Sequence, residues 1–470
     1  VNLAKRHLFD LAAIAILVLS AGCSGRDPAG LEIARARIDP LVFGDDYGAD
    51  VYFQAFFQTH LTAVELDSVY AYGGYAPDGA KSLKVNVPPK GSALGVYSGG
   101  VLTSAASRDL ADFNALTFYA RSDVDVSLNV AGFGNDNTGT SRYEAGRGRL
   151  PLTREWTFFV VPIPAPSKLI AERGMFTFAE GLEEQPPGVF PYPDGYNIWF
   201  DEIRFAKLGN VSVFRANMTS SSRGYFIGSK ATVENTSTIF DVDGGFVVVD
   251  HSPNYFDYAS SAPSVAAVTA RGEIEIVGAG QAAITAKLED VDVFGALNLT
   301  AYSTPTLPAE SPTIPAANVI SMFSDVYNDV PVETWRTDWS RAQFEEYAVA
   351  GEKTKMYSAL IYVGISFENA PIDATSMNYF HLDVYAPAGS NFKVKLVSFP
   401  PGLSGSVETP DLVLDADTTP AFNAGSWSPI TIPLTDFQLP VSWDWARIGQ
   451  LVLSTTDARL VLVDNVYWHE

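Results

Sequence analysis

The chain has 470 residues, enough for several domains, and a formal net charge of −23, a field that repels phosphate backbones and argues against nucleic acid as a partner. It contains 29 Phe, 21 Tyr and 37 Gly, a mixture that favours β-sandwiches over helical bundles. A single cysteine excludes an intramolecular disulfide, so stability must come from large apolar cores.

In chain order, the first element is Lys5, Arg6 and His7, then an apolar run over residues 11–19, then Ser20, Ala21 and Gly22 before Cys23. A basic start, a short apolar stretch and small residues at the end are the parts of a secretory signal, and the run is too short for the roughly 20 residues that a spanning helix needs. The Ala21-Gly22-Cys23 ending resembles the bacterial lipobox, with Ser20 where Leu is commoner. The resemblance implies lipidation of Cys23 and export. Ser24, rather than an aspartate, follows it, which implies the outer membrane of a Gram-negative bacterium and a place at the cell surface. Residues 24–37 then read as a tether.

Three modules are expected beyond it: residues 38–208, 209–303 and 318–470, with a Pro-rich linker over 304–317. Alternating apolar patterns broken by Gly, Asn, Asp and Pro, without a long amphipathic helix, read as strands in all three. The first and last share landmarks in one order. Each opens on Phe-x-Asp (Phe43 and Asp45; Phe323 and Asp325), passes through a Trp-led, Pro-containing strand (Trp156 to Pro164; Trp427 to Leu434), and closes on an aspartate in an aromatic strand (Trp199 and Asp201; Asp464 and Tyr467). These two segments resemble the jelly-roll carbohydrate-binding modules of bacterial polysaccharide-degrading systems. The middle one, around Val265, Val268, Gly272, Ile274, Ile276, Gly280, Ala282, Ile284 and Ala286, resembles the bacterial Ig-like group 2 domain. There the alternation puts Ile274 with Ile276, and Ala282 with Ile284 and Ala286, on inward faces. The expected fold is all-β, two jelly rolls flanking an Ig-like sandwich, the middle domain serving as a spacer.

The sequence holds no nucleophile elbow, no zinc-protease helix and no phosphate-binding glycine loop. Glu65 and Asp67 begin like a hydrolase carboxylate strand, but Tyr70 stands where the closing acid belongs, so the expectation is a protein that binds without cutting. Sugar binding needs flat aromatic faces for pyranose rings, and amides, carboxylates or Arg for hydroxyls. Trp156, Trp199, Trp427 and Trp468 sit beside or within strands and are read as packing residues. Trp335 and Trp339, flanking Arg336, and Trp443 and Trp445, flanking Asp444, lie outside strand patterns and are the ligand candidates, extended by Tyr362 and Phe367. In the first module the candidates are Tyr70, Tyr72 and Tyr75, with Asn135, Asp136, Asn137 and Arg142 of a polar loop; a turn network satisfying its own backbone is the alternative for that loop.

The jelly-roll resemblance also implies a structural calcium (Ca2+) that clips early and late strands, with Asp45 and Asp201 in one module and Asp325 and Asp464 in the other, aided by Asp46 and Asp78. The functional expectation is a non-catalytic surface lipoprotein that captures a neutral polysaccharide, by resemblance a β-1,3-glucan such as laminarin, and passes it to a glycan transporter complex or degrading enzymes. An adhesin that binds another protein, and a glycoside hydrolase with unrecognised carboxylates, are the alternatives.

Overall fold

Strict alternation of apolar and polar residues gives strands with one wet and one dry face, and such strands must pair and stack. The computed structural model describes residues 37–56, 64–68, 81–93, 95 and 97–470. Cys23, Tyr70, Tyr72, Tyr75 and Asp78 lie outside the described residues. The architecture is all-β. Among the described residues its helical turns are short 3-10 segments such as Pro253–Tyr255 and Trp445–Arg447.

In the first sandwich, one sheet runs in the order Val64–Asp67, Ser82–Val87, Tyr196–Ala206, Ala115–Ser122, Thr157–Pro162, with Leu41–Phe43 also pairing Tyr196–Ala206. The facing sheet carries Val51–Ala55, Tyr97–Arg108, Glu172–Gly181, Val126–Phe133 and Ala145–Leu152. Between them Phe118, Phe176 and Phe200 meet edge to face, with ring centroids 5.2–6.0 Å apart. In the third module Glu352–Ser366 belongs to both layers. Lys355 pairs with Val463 on one side of the switch and Ile365 with Leu451 on the other, and Ala359 takes a left-handed φ of 50° between them.

The repeat read from the landmarks is visible in a shared irregularity. Asp201 and Asp464 each accept a hydrogen bond from the next backbone N–H, at 2.7 and 2.8 Å, and the next residues, Glu202 and Asn465, both have positive φ. In each copy the first strand meets this strand with a register shift, between Leu41 and Phe43 and between Ser321 and Phe323. The aspartate holds a bulge that aims the end of the strand.

In the middle domain Ile274, Ile276, Ala282, Ile284 and Ala286 are buried as the alternation requires, and Gly272 turns the chain at φ 72°. Val265 is buried just before the strand Ala266–Val268.

The middle domain is not separated from the first sandwich. Gly245–His251 pairs with Ala145–Leu152 through Asp250 opposite Gly146 and His251 opposite Ala145, so a single thirteen-stranded sheet runs through both. Lys168 Nζ pins the junction by donating to the carbonyls of Asn254 and Tyr255 and to Asp257. On the other side Phe226 is fully buried against Tyr347, Tyr385 and Leu460 of the third module. The Pro-rich segment lies along that module as a strap. Proline removes backbone donors but leaves carbonyls, and side chains take them: Trp427 Nε1 donates to Leu307, Asn465 Nδ2 to Glu310 and the Tyr327 hydroxyl to Ile314.

Candidate functional site

Three neighbouring strands of the third module turn one face to the core and the other toward the surface. Val363 and Ile365, Leu451 and Leu453, Val394 and Leu396 point to the core. Their alternates form rows across the outward face: Tyr362, Ser454 and Lys393; then Gly364, Val452 and Lys395; then Ser366, Gln450 and Val397. Above these rows is a groove of about 670 Å³.

One wall of the groove is aromatic. Trp339 is 48% exposed and stacks on Tyr362, with ring centroids 6.1 Å apart and planes within 28°. Its loop is stapled to the strand: Thr337 N donates to Gly364 O, and Gly364 N donates to the Ser340 hydroxyl, both at 3.0 Å. Gly364 is required there, because a Cβ would collide with the indole. The opposite wall is charged. Lys395 Nζ lies 3.0 Å from Glu408 and 3.5 Å from Asp411, and Lys393 lies 3.9 Å from Asp411. Partial burial disfavours the Lys395 charge, but Glu408 and Asp411 outweigh it and raise its pKa. Phe399 closes one end, its ring packed over Gly449.

Of the candidates read from sequence, Trp339 and Tyr362 meet in this groove. Trp335 does not; its ring packs edge-on against Phe323 at 5.8 Å with the Lys355 ammonium 4.7 Å from its centroid, and its carbonyl accepts from the Tyr357 hydroxyl. Arg336 Nε donates to Ala342 O at 2.7 Å and braces the loop. Trp443 and Trp445 meet edge to face at 5.2 Å, half-buried against the core and away from the groove. Their place there follows from Asp444, which caps the 3-10 turn by accepting from Ala446 N. Phe367 is fully buried against Trp468. A place outside strand patterns marks Trp335, Trp443 and Trp445 as candidates, but their rings pack against the core.

In the first module Asp136 accepts from Thr138 and Ser141, and Asn135 from Asn137 N, so the polar loop satisfies its own backbone. The Arg142 carbonyl accepts from Ser252 and Asn254, which makes this loop part of the junction with the middle domain. Trp199 and Trp468 are buried, as expected of packing residues.

Of the expected calcium ligands, Asp45, Asp201, Asp325 and Asp464 are described and Asp78 is not. Among the described residues no three His, Cys, Asp or Glu side chains form a group that could hold a metal ion. Asp45 accepts from Lys81 N, and Asp201 and Asp464 are buried on their bulges. Asp464 is pushed up to about 7, by burial and by the charges of Asp383, Asp325 and Glu352, against the hydrogen bond from Asn465.

Sequence reasoning missed Lys393, Lys395, Glu408, Asp411, Gln450 and Gly364. The alternation of Phe392, Val394 and Leu396 with Lys393 and Lys395 marks the two lysines as outward. Nothing local says which strands stand beside them.

No family model matches the sequence, and no curated protein matches it. Solved structures do match. One is the family 11 carbohydrate-binding module of cellulosomal cellulase Lic26A-Cel5E of Clostridium thermocellum, 12% identical, TM-score 0.25, over 32% of this chain and 94% of that one. Another is the CBM22-1-CBM22-2 tandem domain from Paenibacillus barcinonensis Xyn10C, 11% identical, TM-score 0.22, over 93% of this chain and 99% of that one. A third, CBM28, is described as specific for non-crystalline cellulose; it is 15% identical, TM-score 0.22, over 27% of this chain and 80% of that one. At such identities and scores the likeness carries no inference about the ligand, which is read from the groove alone.

Proposed function

We propose that the protein binds a neutral polysaccharide without cutting it, and that the third module's groove is where it does so. The observation that carries this is Trp339, laid over Gly364 and stacked on Tyr362, facing Lys393, Lys395, Glu408, Asp411 and Gln450. The flat C–H faces of a pyranose ring release water onto the indole and phenol, and its hydroxyls exchange water for the carboxylates, ammonium groups and amide opposite. Two lysines are balanced by two acids, which favours an uncharged polymer over an acidic one. Glu408 and Asp411 are both engaged with lysine and have no nucleophilic or acid/base assignment here.

A β-1,3-glucan such as laminarin is the first polymer to try. The wider proposal has Cys23 lipidated, the protein held at the outer membrane and the captured glycan passed to uptake or degrading machinery. Electrophoresis through gels containing laminarin, mixed-linkage β-glucan or galactomannan tests the core of it. Retardation of the wild type in at least one gel is expected; mobility unchanged in all of them, and in gels of other neutral glycans, removes the reading. Reducing-sugar release on long incubation would convert it to a hydrolase. Labelling of the precursor by palmitate, lost in Cys23→Ala, tests the anchor.

A further inference from the structure

The sheet shared by the first sandwich and the middle domain has an outward face that crosses from one to the other without a break. Paired residues of antiparallel strands point to the same side. Thr177 is opposite Gly132, Gly132 opposite Gly146, and Gly146 opposite Asp250. Strand alternation then places Val248 and Phe246 on the same face as Asp250, and Ile239 and Asp241 lie opposite them. The first part of this face is the floor of a groove of about 600 Å³, with Phe56 at one end and Asp250 at the other. Its floor is Gly132, Gly146, Gly148 and Ala179 with Val130 and Thr177 among them, mostly small side chains that let a polymer lie close to the sheet.

Beyond the groove two rings stand in solvent. Phe246 is 65% and Phe214 58% exposed, their centroids 4.5 Å apart, and Val248, half exposed, lies between them and the groove. Phe214 reaches this face because it sits in a bulge, where the register shifts between Val213 and Arg215. An apolar platform of this kind in water marks a contact surface. The residues around it identify the contact. Asp250, Ser237, Asp241 and Arg215 share registers on or beside the same strands, so hydroxyl-binding groups alternate with the apolar ones. Acids outnumber bases here, which disfavours an anionic polymer.

We infer that this continuous face is a second glycan path, in which a neutral polysaccharide runs from the first sandwich's groove over Gly146 and Val248 to the Phe214 and Phe246 platform on the Ig-like domain. The inference rests on the reading of the protein as a glycan binder. Five inter-strand steps, from Glu172–Gly181 to Val211–Asn217, give the path a length of about 24 Å at ~4.8 Å per strand. It therefore takes a chain of several sugar units and gains little from a short oligosaccharide. The middle domain acts here as part of the binding surface, held in place by the shared sheet and by Lys168.

The test uses the full chain carrying Trp339→Ala, which silences the third module's groove, in the laminarin, mixed-linkage β-glucan and galactomannan gels. Adding Phe214→Ala with Phe246→Ala, or separately Val248→Glu, is expected to weaken retention in the retarding gel about tenfold with an unchanged Tm; all three side chains are exposed, so folding is not at stake. In the wild-type background the same changes should leave titration with a short laminarin oligosaccharide unaltered. Parent-like mobility of both variants in a gel that retards the Trp339→Ala chain overturns the inference, as does complete loss of retention from Trp339→Ala alone. Self-association of the wild type that vanishes with the two phenylalanines, with gel mobility unchanged, would make the patch a contact between copies and overturn it too. Absence of any wild-type retardation would instead bring down glycan binding as a whole.

Discussion

The first and third modules share a frame, down to the bulge after Asp201 and Asp464, but the corresponding outward faces carry different side chains. In the third, a stapled loop lays Trp339 over Gly364 beside Tyr362, and two lysines face two acids. In the first, the face is floored by three glycines with Val130, Thr177 and Ala179, and bounded by Asp250, His251 and Ser252 of the next domain. The contrast shows that the frame conserves how strands end, while the loops and the neighbouring domain decide what stands above the sheet. One copy builds its wall from its own loops and strands; the other borrows it from the next domain.

Four measurements sharpen that contrast. The largest expected effect is Trp339→Ala, which should weaken binding by a short oligosaccharide about 30-fold, equivalent to about 2 kcal/mol, in isothermal titration, with little change in Tm. A loss below threefold would move the principal site to the first module. Next is Gly364→Ala. The added methyl group displaces the indole, so affinity should fall about tenfold and Tm by a few degrees, whereas Gly148→Ala in the first module, whose Cβ meets only Asn129 O at 3.2 Å, should leave Trp339-dependent binding unchanged.

The third effect is on pH. Asp464 has its folded pKa raised from 3.8 to about 7, chiefly by burial, so it folds more easily protonated. Its contribution to stability is fully present below about pH 4 and is lost as pH rises through 7. Glu180 of the first module, raised to about 7 by burial while Tyr196 and the Asn129 N–H oppose the shift, acts with the same sign. The Tm is expected to fall by a few degrees between pH 5 and pH 7.5, and Asp464→Asn should flatten the third module's share of that slope. A Tm that rises over this range would show that these carboxyls are ionised in the folded protein. The smallest effect concerns calcium: adding Ca2+ after chelation should shift Tm by less than about 1 °C. A larger rise that Asp464→Asn abolishes would place an ion site at Asp464.

The candidate site was only partly legible before folding. Tyr362 and Trp339 were both named, yet nothing in the loop over residues 334–340 distinguishes Trp335 from Trp339; polar neighbours surround each. Trp335 turns inward because Phe323 and Lys355, close to it only in space, cover its faces. Lys168 is likewise an ordinary exposed lysine by sequence, and becomes a junction residue only through three partners some 86–89 positions away.

The sequence by itself determined the all-β class, the twofold repetition, the buried faces of strands such as Glu273–Ile276 and the lack of any familiar catalytic motif. Those are properties of local period and residue type, and a period of two assigns inward and outward faces wherever the strand ends up. Tertiary structure decided which outward faces adjoin, that the middle domain joins the first sheet, and which indole meets water. Strand pairing links residues far apart in the chain, and its register is set by the cores and bulges of whole sheets rather than by any short stretch.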